Sequence, residues 1–264
     1  MTRTIDEATA TALGERLFEA WRTRQPIPPL TAERPDLSPA DAYAIQQVVV
    51  ARRLAAGERI VGWKLGLTSR AMQEQLGVDQ PDYGPILTGY LAAEGEAIET
   101  ASLIAPRVEA EIAFRLRAPL RGPGVSVLDV LTATDGVAPA IEVIDSRIEA
   151  WRIRLADTIA DLASSARVVV GGRLTPVAGL DLRTVGVVLE RRGEVVATGA
   201  GAAALGHPAA AVAWAANTLG ALGVTLEAGS LVMPGALHAS VPAVAGDTFR
   251  ARFDGLGSVT VHFD

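Results

Sequence analysis

Two glutamates placed two residues apart have the type and the spacing of ligands for a hard metal cation. In "PRVEAEIAFRL", residues 106–116, apolar side chains occupy every second position from Val108 to Leu116, which predicts a strand with one face in the core. Glu109 and Glu111 share the opposite face, roughly 6–7 Å apart. Two carboxylates at that distance can share a cation that takes oxygen ligands. The alternative is a solvated strand face whose charges pair with neighbouring strands.

A third carboxylate, Glu142, lies in the apolar stretch "PAIEVID", residues 139–145. An unpaired carboxylate is costly to bury, so the alternative for a lone residue is an edge strand with Glu142 facing water. Together with Glu109 and Glu111, however, it gives three carboxylates on two separate strands. Three carboxylates without a thiolate favour Mg²⁺ or Mn²⁺, with waters completing an octahedron.

The stretch "GWKLG", residues 62–66, carries a lone cation, Lys64, in an apolar strand between glycines. Glycine lets a backbone approach a ligand closely. The functional interpretation is a desolvated lysine near the metal, which holds a substrate carboxylate or moves a proton. The alternative is a lysine at a strand edge that extends its ammonium group into water.

Several other chemistries lack the residues they need. The chain has no cysteine, which excludes disulfides, thiolate zinc sites and cysteine nucleophiles. Its three histidines, His207, His238 and His262, lie far downstream without metal-ligand spacing, and His207 precedes a helix, where a capping or surface role is expected. No G-x-S-x-G motif occurs, and "GAGAAALG" at 199–206 lacks the dinucleotide fingerprint and is interpreted as a turn.

The net charge is ordinary for a soluble enzyme with a small-molecule substrate. A net charge of −6 argues against a protein that binds nucleic acid, since such a protein requires a basic face. The N-terminal stretch "MTRTIDEATATALGERLFEAW" is acidic and amphipathic, unlike a signal peptide. No uninterrupted apolar stretch of about 18 residues is present, so we expect no membrane span and a cytoplasmic protein.

The N-terminal part of the chain predicts a small helical lobe, residues 1–58. Apolar residues at helical spacing predict a helix over 6–24, followed by a proline-rich linker. Ser38 as N-cap and Pro39 at the first helical position predict a second helix, which runs to about Ala56.

From Ile60 onward the pattern changes to short strands and turns. We predict a short helix at 69–77, a hairpin around Arg192-Gly193 and a helix from Pro208 to Gly223. Strands outnumber helices and do not alternate regularly with them, which favours a rolled or sandwiched mixed sheet over a doubly wound fold. We therefore assign residues 59–264 to one β-rich catalytic domain in a chain of the α+β class.

These residues together resemble a known family. The stretches are "GWKLGLTS.AMQEQLGVDQPDYG", "PRVEAEIAF", "PAIEVIDSRI..W", "D.ASSA", "LGHP...VAW" and "AGD...A.F.GLGSV". They resemble the 2-keto-4-pentenoate hydratase branch of the fumarylacetoacetate hydrolase superfamily, from about residue 38 to the C-terminus. The resemblance implies a mixed β-sandwich roll, like the C-terminal domain of fumarylacetoacetate hydrolase, with a small N-terminal helical lobe. It also implies Mg²⁺ or Mn²⁺ on Glu109, Glu111 and Glu142, chelated by a 2-oxo acid.

The resemblance implies a hydratase of meta-cleavage breakdown of aromatic or steroid rings. Such an enzyme adds water to 2-hydroxypenta-2,4-dienoate, or an alkyl homologue, and forms a 4-hydroxy-2-oxo acid. In this hypothesis Lys64 binds the substrate carboxylate or relays a proton, and Asp79 is a second acid–base candidate. Asp79 could instead form a turn. Ser164 and Ser165 are candidates for hydrogen bonds to the substrate.

The sequence leaves open two alternatives to the hydratase. The sister enzyme 4-oxalocrotonate decarboxylase shares most of these stretches, and its second substrate carboxylate requires a distal cation, for which Arg70, Arg147 and Arg152 are candidates. The other alternative is a non-catalytic scaffold partner, which would be expected to lose a metal glutamate or Lys64. The three glutamates and Lys64 are all present in this chain.

The chain also departs from the family pattern. Leu162 stands where the family often has Asn, and Ala236 where it often has Ser, so at each position the chain lacks a polar side chain that could contact substrate. Hydrolases of the superfamily use a histidine in an N-terminal lid, and no histidine precedes His207, which argues against hydrolysis of a carbon–carbon bond.

The helix "AAAVAWAANTLGALG" is apolar or small around nearly its whole circumference. A surface helix normally has a polar face about as wide as its apolar one, so this helix needs cover from its own sheet or from another subunit. With the family resemblance, this predicts a homo-oligomer, with association with pathway enzymes as a further expectation.

Overall fold

The computed structural model describes residues 3–70, 73–74 and 78–264. The helices are α1 (Glu7–Thr23), α2 (Leu30–Glu33), α3 (Pro39–Ala55), α4 (Val127–Ala133), α5 (Leu155–Ala160) and α6 (Pro208–Ala221). The strands are β1 (Ile60–Gly66), β2 (Asp82–Leu87), β3 (Leu91–Ala92), β4 (Ala97–Ile98), β5 (Arg107–Leu116), β6 (Thr134–Ile144), β7 (Ser165–Val170), β8 (Gly186–Arg191), β9 (Glu194–Ala200), β10 (Leu231–Met233), β11 (Val241–Pro242), β12 (Thr248–Phe253) and β13 (Gly257–Phe263). The short helix predicted at 69–77 falls largely on residues outside this description.

The two N-terminal helices begin where their capping residues predict. Ser38 and Asp41 form a reciprocal capping box at the start of α3, with Pro39 at the first helical position. The helices α1 and α3 pack on each other through a core that includes Leu17 and Ile45. That core also contains residues from α5, such as Ile159, so the lobe is continuous with later parts of the chain. The domain division at residue 58 stays a prediction.

Two sheets form the rest of the fold. The larger has the order β2-β1-β10-β5-β6-β7-β3, with β11 beside β5, and the smaller has the order β4-β13-β12-β8-β9. Parallel pairs, such as β1–β10 and β3–β7, occur among antiparallel ones. The main core contains residues of both sheets, such as Ile112, Ile141 and Phe249. This is the mixed roll that the sequence pattern predicted.

The strand β5 alternates as its sequence predicted. Val108, Ala110, Ile112 and Phe114 are fully buried in the main core. The opposite face of β5 carries Arg107, Glu109 and Glu111. β5 and β6 are central strands that pair over almost their whole length, so these residues lie in the middle of the sheet and not at an exposed edge.

The apolar helix α6 is covered by its own chain. Eight of its residues are buried, among them Val212 and Leu219, and it packs against α4. The hairpin predicted around Arg192-Gly193 is present between β8 and β9. Since α6 finds cover within the chain, its apolar surface no longer argues for a second subunit, and the homo-oligomer stays a prediction.

No helix among the described residues is both long enough and apolar enough for a membrane crossing.

Candidate metal centre and substrate pocket

The three glutamates converge on one point. Glu109 and Glu142 are direct partners across the β5–β6 pair, and Glu111 follows two residues along β5 on the same face. One carboxylate oxygen from each lies within 4.8 Å of the others. Glu111 and Glu142 are fully buried, which excludes the solvated strand face and the edge strand for these two residues. Glu109 is partly buried and lines a cavity.

Single hydrogen bonds orient two of these carboxylates. The Ser165 hydroxyl donates to Glu142 Oε1 at 2.7 Å, and the Gly235 amide donates to Glu111 Oε2 at 2.8 Å. The second oxygens, Glu111 Oε1 and Glu142 Oε2, are buried and have no hydrogen-bond partner in the described part of the chain. Buried carboxylate oxygens without donors are costly unless a cation meets them. The donor set of three carboxylates therefore fits Mg²⁺ or Mn²⁺.

Burial and mutual repulsion perturb the acids. Burial raises the pKa of Glu111 well above its ordinary value, and the charges of Glu142 and Glu109 raise it further. Burial likewise raises the pKa of Glu109 to about 7, with Lys64 opposing the shift. A divalent cation would relieve both effects, because it favours the charged form of each carboxylate.

Lys64 is buried beside the same cluster. Its ammonium group donates to the Ala163 carbonyl at 2.9 Å and lies 3.5 Å from Glu142 Oε2. Burial alone would lower its pKa, but nearby carboxylates, led by Glu142 and Asp82, raise it above the ordinary value. Since only 3% of Lys64 is exposed, the alternative of an ammonium group extended into water is excluded.

The glycines beside Lys64 have a packing role. A Cβ at Gly62 would lie 1.9 Å from the Leu231 carbonyl oxygen on β10, and a Cβ at Gly66 would lie 2.2 Å from Asp82 Oδ1. The Leu231 backbone therefore requires glycine at position 62, and at position 66 a side chain would crowd the Asp82 carboxylate.

Asp82 is a site residue that the sequence analysis missed. It pairs with Gly66 at the start of β2, is buried, lines the cavity, and its Oδ1 has no hydrogen-bond partner among the described residues. Burial raises its pKa, and Lys64 opposes the shift. The sequence contains one signal that could have identified Asp82. Asp82 directly precedes the apolar stretch "YGPIL", whereas Asp79 lies in a turn. In the structure Asp79 is exposed and is not one of the residues that line the cavity.

The two candidate serines have different surroundings. Ser165 is fully buried and its hydroxyl is bonded to Glu142, so it contacts a carboxylate of the cluster. Ser164 lines the cavity, and its buried hydroxyl has no hydrogen-bond partner among the described residues. Of the two, Ser164 is the one placed to donate to a bound molecule.

The cavity has a volume of about 710 Å³. Its lining includes the two acids Asp82 and Glu109. It also includes Arg107, whose guanidinium lies 4.7 Å from the Trp151 ring, and His238, whose Nε2 accepts from the Ala110 amide. A cavity of this size is typical of a small-molecule site.

The remaining histidines lie outside this cavity. His207 caps α6, with its Nδ1 accepting from the Ala209 amide at 3.0 Å, so the predicted capping role is confirmed. His262 contacts the Thr248 hydroxyl on the neighbouring strand. Neither lines the cavity.

Comparison with known proteins identifies the family. The family described as fumarylacetoacetate (FAA) hydrolase C-terminal matches residues 66–264. The chain belongs to this family. The resemblance seen in the sequence is thereby confirmed, and so is the fold that it implied.

Relatives with two different activities match all or nearly all of this fumarylacetoacetate hydrolase family member. The 4-oxalocrotonate decarboxylase of Pseudomonas sp. (strain CF600) is 46% identical over 100% of both chains. The 2-keto-4-pentenoate hydratase of Paraburkholderia xenovorans (strain LB400) is 45% identical, over 95% of this chain and 93% of that protein. The solved structure of 4-oxalocrotonate decarboxylase from Pseudomonas putida G7, complexed with magnesium and adipate, has a TM-score of 0.96 and 42% identity over 100% of both chains.

Proposed function

We propose that this protein is a carbon–oxygen lyase of the 2-keto-4-pentenoate hydratase type. It adds water to 2-hydroxypenta-2,4-dienoate, or an alkyl homologue, and forms a 4-hydroxy-2-oxo acid in meta-cleavage degradation of aromatic or steroid compounds. One observation carries the proposal: three carboxylates converge next to a cavity that Lys64, Asp82 and Glu109 line, and two of the three have an oxygen without a hydrogen bond among the described residues. The similarity to hydratases along almost the whole chain supports it.

Glu109, Glu111 and Glu142 would hold the divalent cation, Mg²⁺ or Mn²⁺. When bound, this cation supplies a Lewis acid that stabilises the enolate charge developing on a 2-oxo acid. The magnesium in the related decarboxylase structure supports this assignment.

The chain's own groups provide orientation and proton transfer. Lys64, fixed by the Ala163 carbonyl, places a positive charge where a substrate carboxylate can be neutralised. The Ser164 hydroxyl is free to donate to a substrate oxygen. Asp82 has a raised pKa and an unpaired oxygen, which suits a group that moves a proton between the substrate and water. In this assignment Asp82 replaces Asp79 as the acid–base group.

A second candidate function is the decarboxylation of 4-oxalocrotonate, a 2-oxo-3-hexenedioate. It requires a cation for the second carboxylate, and Arg107 lines the cavity. The three arginines considered from sequence do not line it: Arg147 is buried in an ion pair with Asp161, and Arg70 and Arg152 are largely exposed. The similarity to 4-oxalocrotonate decarboxylases supports this candidate as well. A scaffold role has no such support, since the carboxylates and Lys64 are all retained.

We also propose a cellular location and an assembly state for the enzyme. We place it in the cytoplasm as a homo-oligomer that associates with other enzymes of its pathway. The open outer edge of β9, where Val195 is 59% exposed, is a surface that a second copy could cover. Light scattering that gave the 27.5 kDa monomer mass at micromolar concentration would contradict the oligomer.

Turnover of both substrates tests the function. Purified protein is supplied with Mg²⁺ and given either the dienol acid or the oxo diacid, with loss of absorbance and release of CO₂ followed separately. We expect hydration of the dienol acid that stops when EDTA removes the metal. Release of CO₂ from the diacid without hydration of the dienol acid would establish the decarboxylase instead. Inactivity of the metal-loaded protein toward both would refute both functions.

A further inference from the structure

Three consecutive residues beside the metal centre adopt a left-handed backbone. Leu162, Ala163 and Ser164 have φ angles of 57°, 50° and 56°. L-residues with a side chain rarely adopt this conformation, because Cβ approaches the following carbonyl oxygen. A run of three such residues persists only when surrounding contacts hold it.

This left-handed turn carries the groups that organise the site. Ala163 presents its carbonyl to the Lys64 ammonium at 2.9 Å. Ser164 lines the cavity, and its hydroxyl has no hydrogen-bond partner among the described residues. Ser165, the next residue, donates to Glu142. A small rotation of the turn would displace all three groups together, since they are on consecutive residues.

One buried arginine holds both ends of the turn. The guanidinium of Arg147 donates to the carbonyl of Asp161 on one side of the turn and, at 3.2 Å, to the carbonyl of Ser165 on the other. It also donates to the Asp161 carboxylate, and the Arg147 amide donates to the same carboxylate at 2.9 Å. Only 2% of Arg147 and 1% of Asp161 are exposed. The planar, five-donor shape of arginine suits this arrangement.

We propose that Arg147 and Asp161 are positioning residues for the metal and substrate site. Their ion pair fixes the left-handed turn. The turn then places the Ala163 carbonyl, which accepts from Lys64, and the Ser165 hydroxyl, which donates to Glu142. Neither residue lines the cavity, so both act through the turn. The substrate part of this inference rests on the proposed function, whereas the part concerning Glu142 and the metal does not.

The competing explanation is that the pair only stabilises the fold. Buried ion pairs can often be replaced by apolar residues of similar volume without loss of stability. The double variant Arg147→Met, Asp161→Leu therefore separates the two explanations, because it can keep the packing while it loses the donors to both carbonyls. A matched control is the double variant Arg53→Met, Glu58→Leu. This control also removes an ion pair that contains a buried arginine. Arg53 lies against Trp21 and Tyr90 and does not line the cavity.

Four quantities are measured on the full-length protein: the denaturation midpoint, Mg²⁺ affinity by calorimetry, affinity of the Mg²⁺-loaded protein for pyruvate as an inert 2-oxo acid, and kcat. We expect the Arg147/Asp161 variant to lose at least about tenfold in Mg²⁺ affinity, as for other residues that orient ligands. Pyruvate affinity and kcat should also fall about tenfold. The Arg53/Glu58 control should keep all three binding and kinetic values within about twofold, whatever its stability.

Wild-type Mg²⁺ affinity and kcat in the folded Arg147/Asp161 variant would overturn the proposal. Should that variant not fold, Arg147→Lys decides, because it keeps the buried charge but cannot reach both carbonyls. We expect the same losses for Arg147→Lys. Unchanged Mg²⁺ affinity in this variant would also overturn the proposal. If the wild-type protein binds Mg²⁺ but converts neither substrate, the proposed function fails, and the Mg²⁺ affinities still test this inference.

Discussion

Glu109 and Glu142 are registered partners on adjacent central strands, so two carboxylates face each other across the β5–β6 pair. Like charges directly opposite each other destabilise a sheet. Glu111 adds a third negative charge on the same face, with Lys64 as the neighbouring cation. A bound divalent cation would compensate this excess of acidic groups.

Glu111→Gln should remove one of three ligands and leave the fold intact. We expect Mg²⁺ affinity to fall at least about a hundredfold and turnover to be lost, because a neutral amide is a poor ligand for a hard cation. Without metal, the variant should be at least as stable as the wild type, since a repelled buried carboxylate has been removed. Calorimetry and chemical denaturation measure the two effects. Undiminished Mg²⁺ affinity would show that the glutamates do not form the metal site.

Mg²⁺ affinity should depend on pH in the range set by Glu109. Its pKa is raised to about 7 without metal, so below that pH a cation must displace a proton from this carboxyl. We expect apparent Mg²⁺ affinity to fall by about tenfold or more per pH unit below pH 7, because Glu111, whose pKa is also raised, must lose its proton as well, with proton release measured by calorimetry in two buffers. In Glu109→Gln this pH dependence should be reduced. A flat profile between pH 5 and pH 7 would contradict the shift.

The same shift has a consequence for the metal-free protein. A carboxyl whose pKa is higher in the folded state favours folding at low pH, and this contribution is lost as pH rises from its unfolded value, about 4.5, through 7. Lys64 is charged in both states over this range and adds no slope. Metal-free protein should therefore gain more stability from Mg²⁺ at pH 8 than at pH 5, measured by thermal denaturation.

The neighbouring serines should separate metal binding from substrate binding. Ser165→Ala removes the donor to Glu142, so Mg²⁺ affinity should fall about tenfold or more. Ser164→Ala should leave Mg²⁺ affinity within about twofold and raise KM or lower kcat, because Ser164 lines the cavity and its hydroxyl bonds none of the described residues. Calorimetry and steady-state kinetics on both variants give the comparison. Equal losses of Mg²⁺ affinity in the two variants would contradict the separate roles.

The sequence predicted the parts of the site that depend on local periodicity. Alternation along β5 placed Glu109 and Glu111 on one face, and the apolar surroundings of Glu142 indicated a second buried strand. Both inferences rest on the two-residue repeat of a strand, which a single stretch of sequence contains. The capped start of α3 at Ser38 was predictable for the same reason, since a capping box spans only four residues.

Features that depend on contacts between distant segments could not be predicted. Asp82 reaches the site because β2 pairs antiparallel with β1, and no local pattern specifies that register. Asp79 has a similar local sequence but remains exposed. The role of Arg147 depends on the left-handed turn at Leu162–Ser164, where no glycine indicates such a backbone.

Asp82→Asn should impair the reaction, and Asp79→Asn is its matched control. Asn keeps the size of Asp82 but cannot carry a proton, so kcat should fall by about 10²–10⁴, the usual contribution of general acid–base catalysis. Mg²⁺ affinity should change little by comparison. Asp79 is exposed, and we expect kcat of Asp79→Asn to stay within about twofold of the wild type. A larger loss in Asp79→Asn than in Asp82→Asn would restore the assignment made from sequence.

Lys64 is the only lysine of the chain, and its charge can be removed or retained by single substitutions. Lys64→Met keeps much of the apolar stem and removes the ammonium group that contacts Ala163 and Glu142. If Lys64 mainly binds the substrate carboxylate, KM should rise about tenfold or more while kcat is largely retained. If it relays a proton, kcat should fall instead. Both outcomes assign Lys64 to the site.

Lys64→Arg distinguishes charge from proton transfer. Arginine remains protonated, so it should restore substrate binding without restoring a proton relay. Steady-state kinetics of the two variants, at saturating Mg²⁺, therefore give a different pattern for each role. Changes within about twofold in both kcat and KM for Lys64→Met correspond to less than about 0.5 kcal/mol, and they would leave Lys64 with a structural role alone.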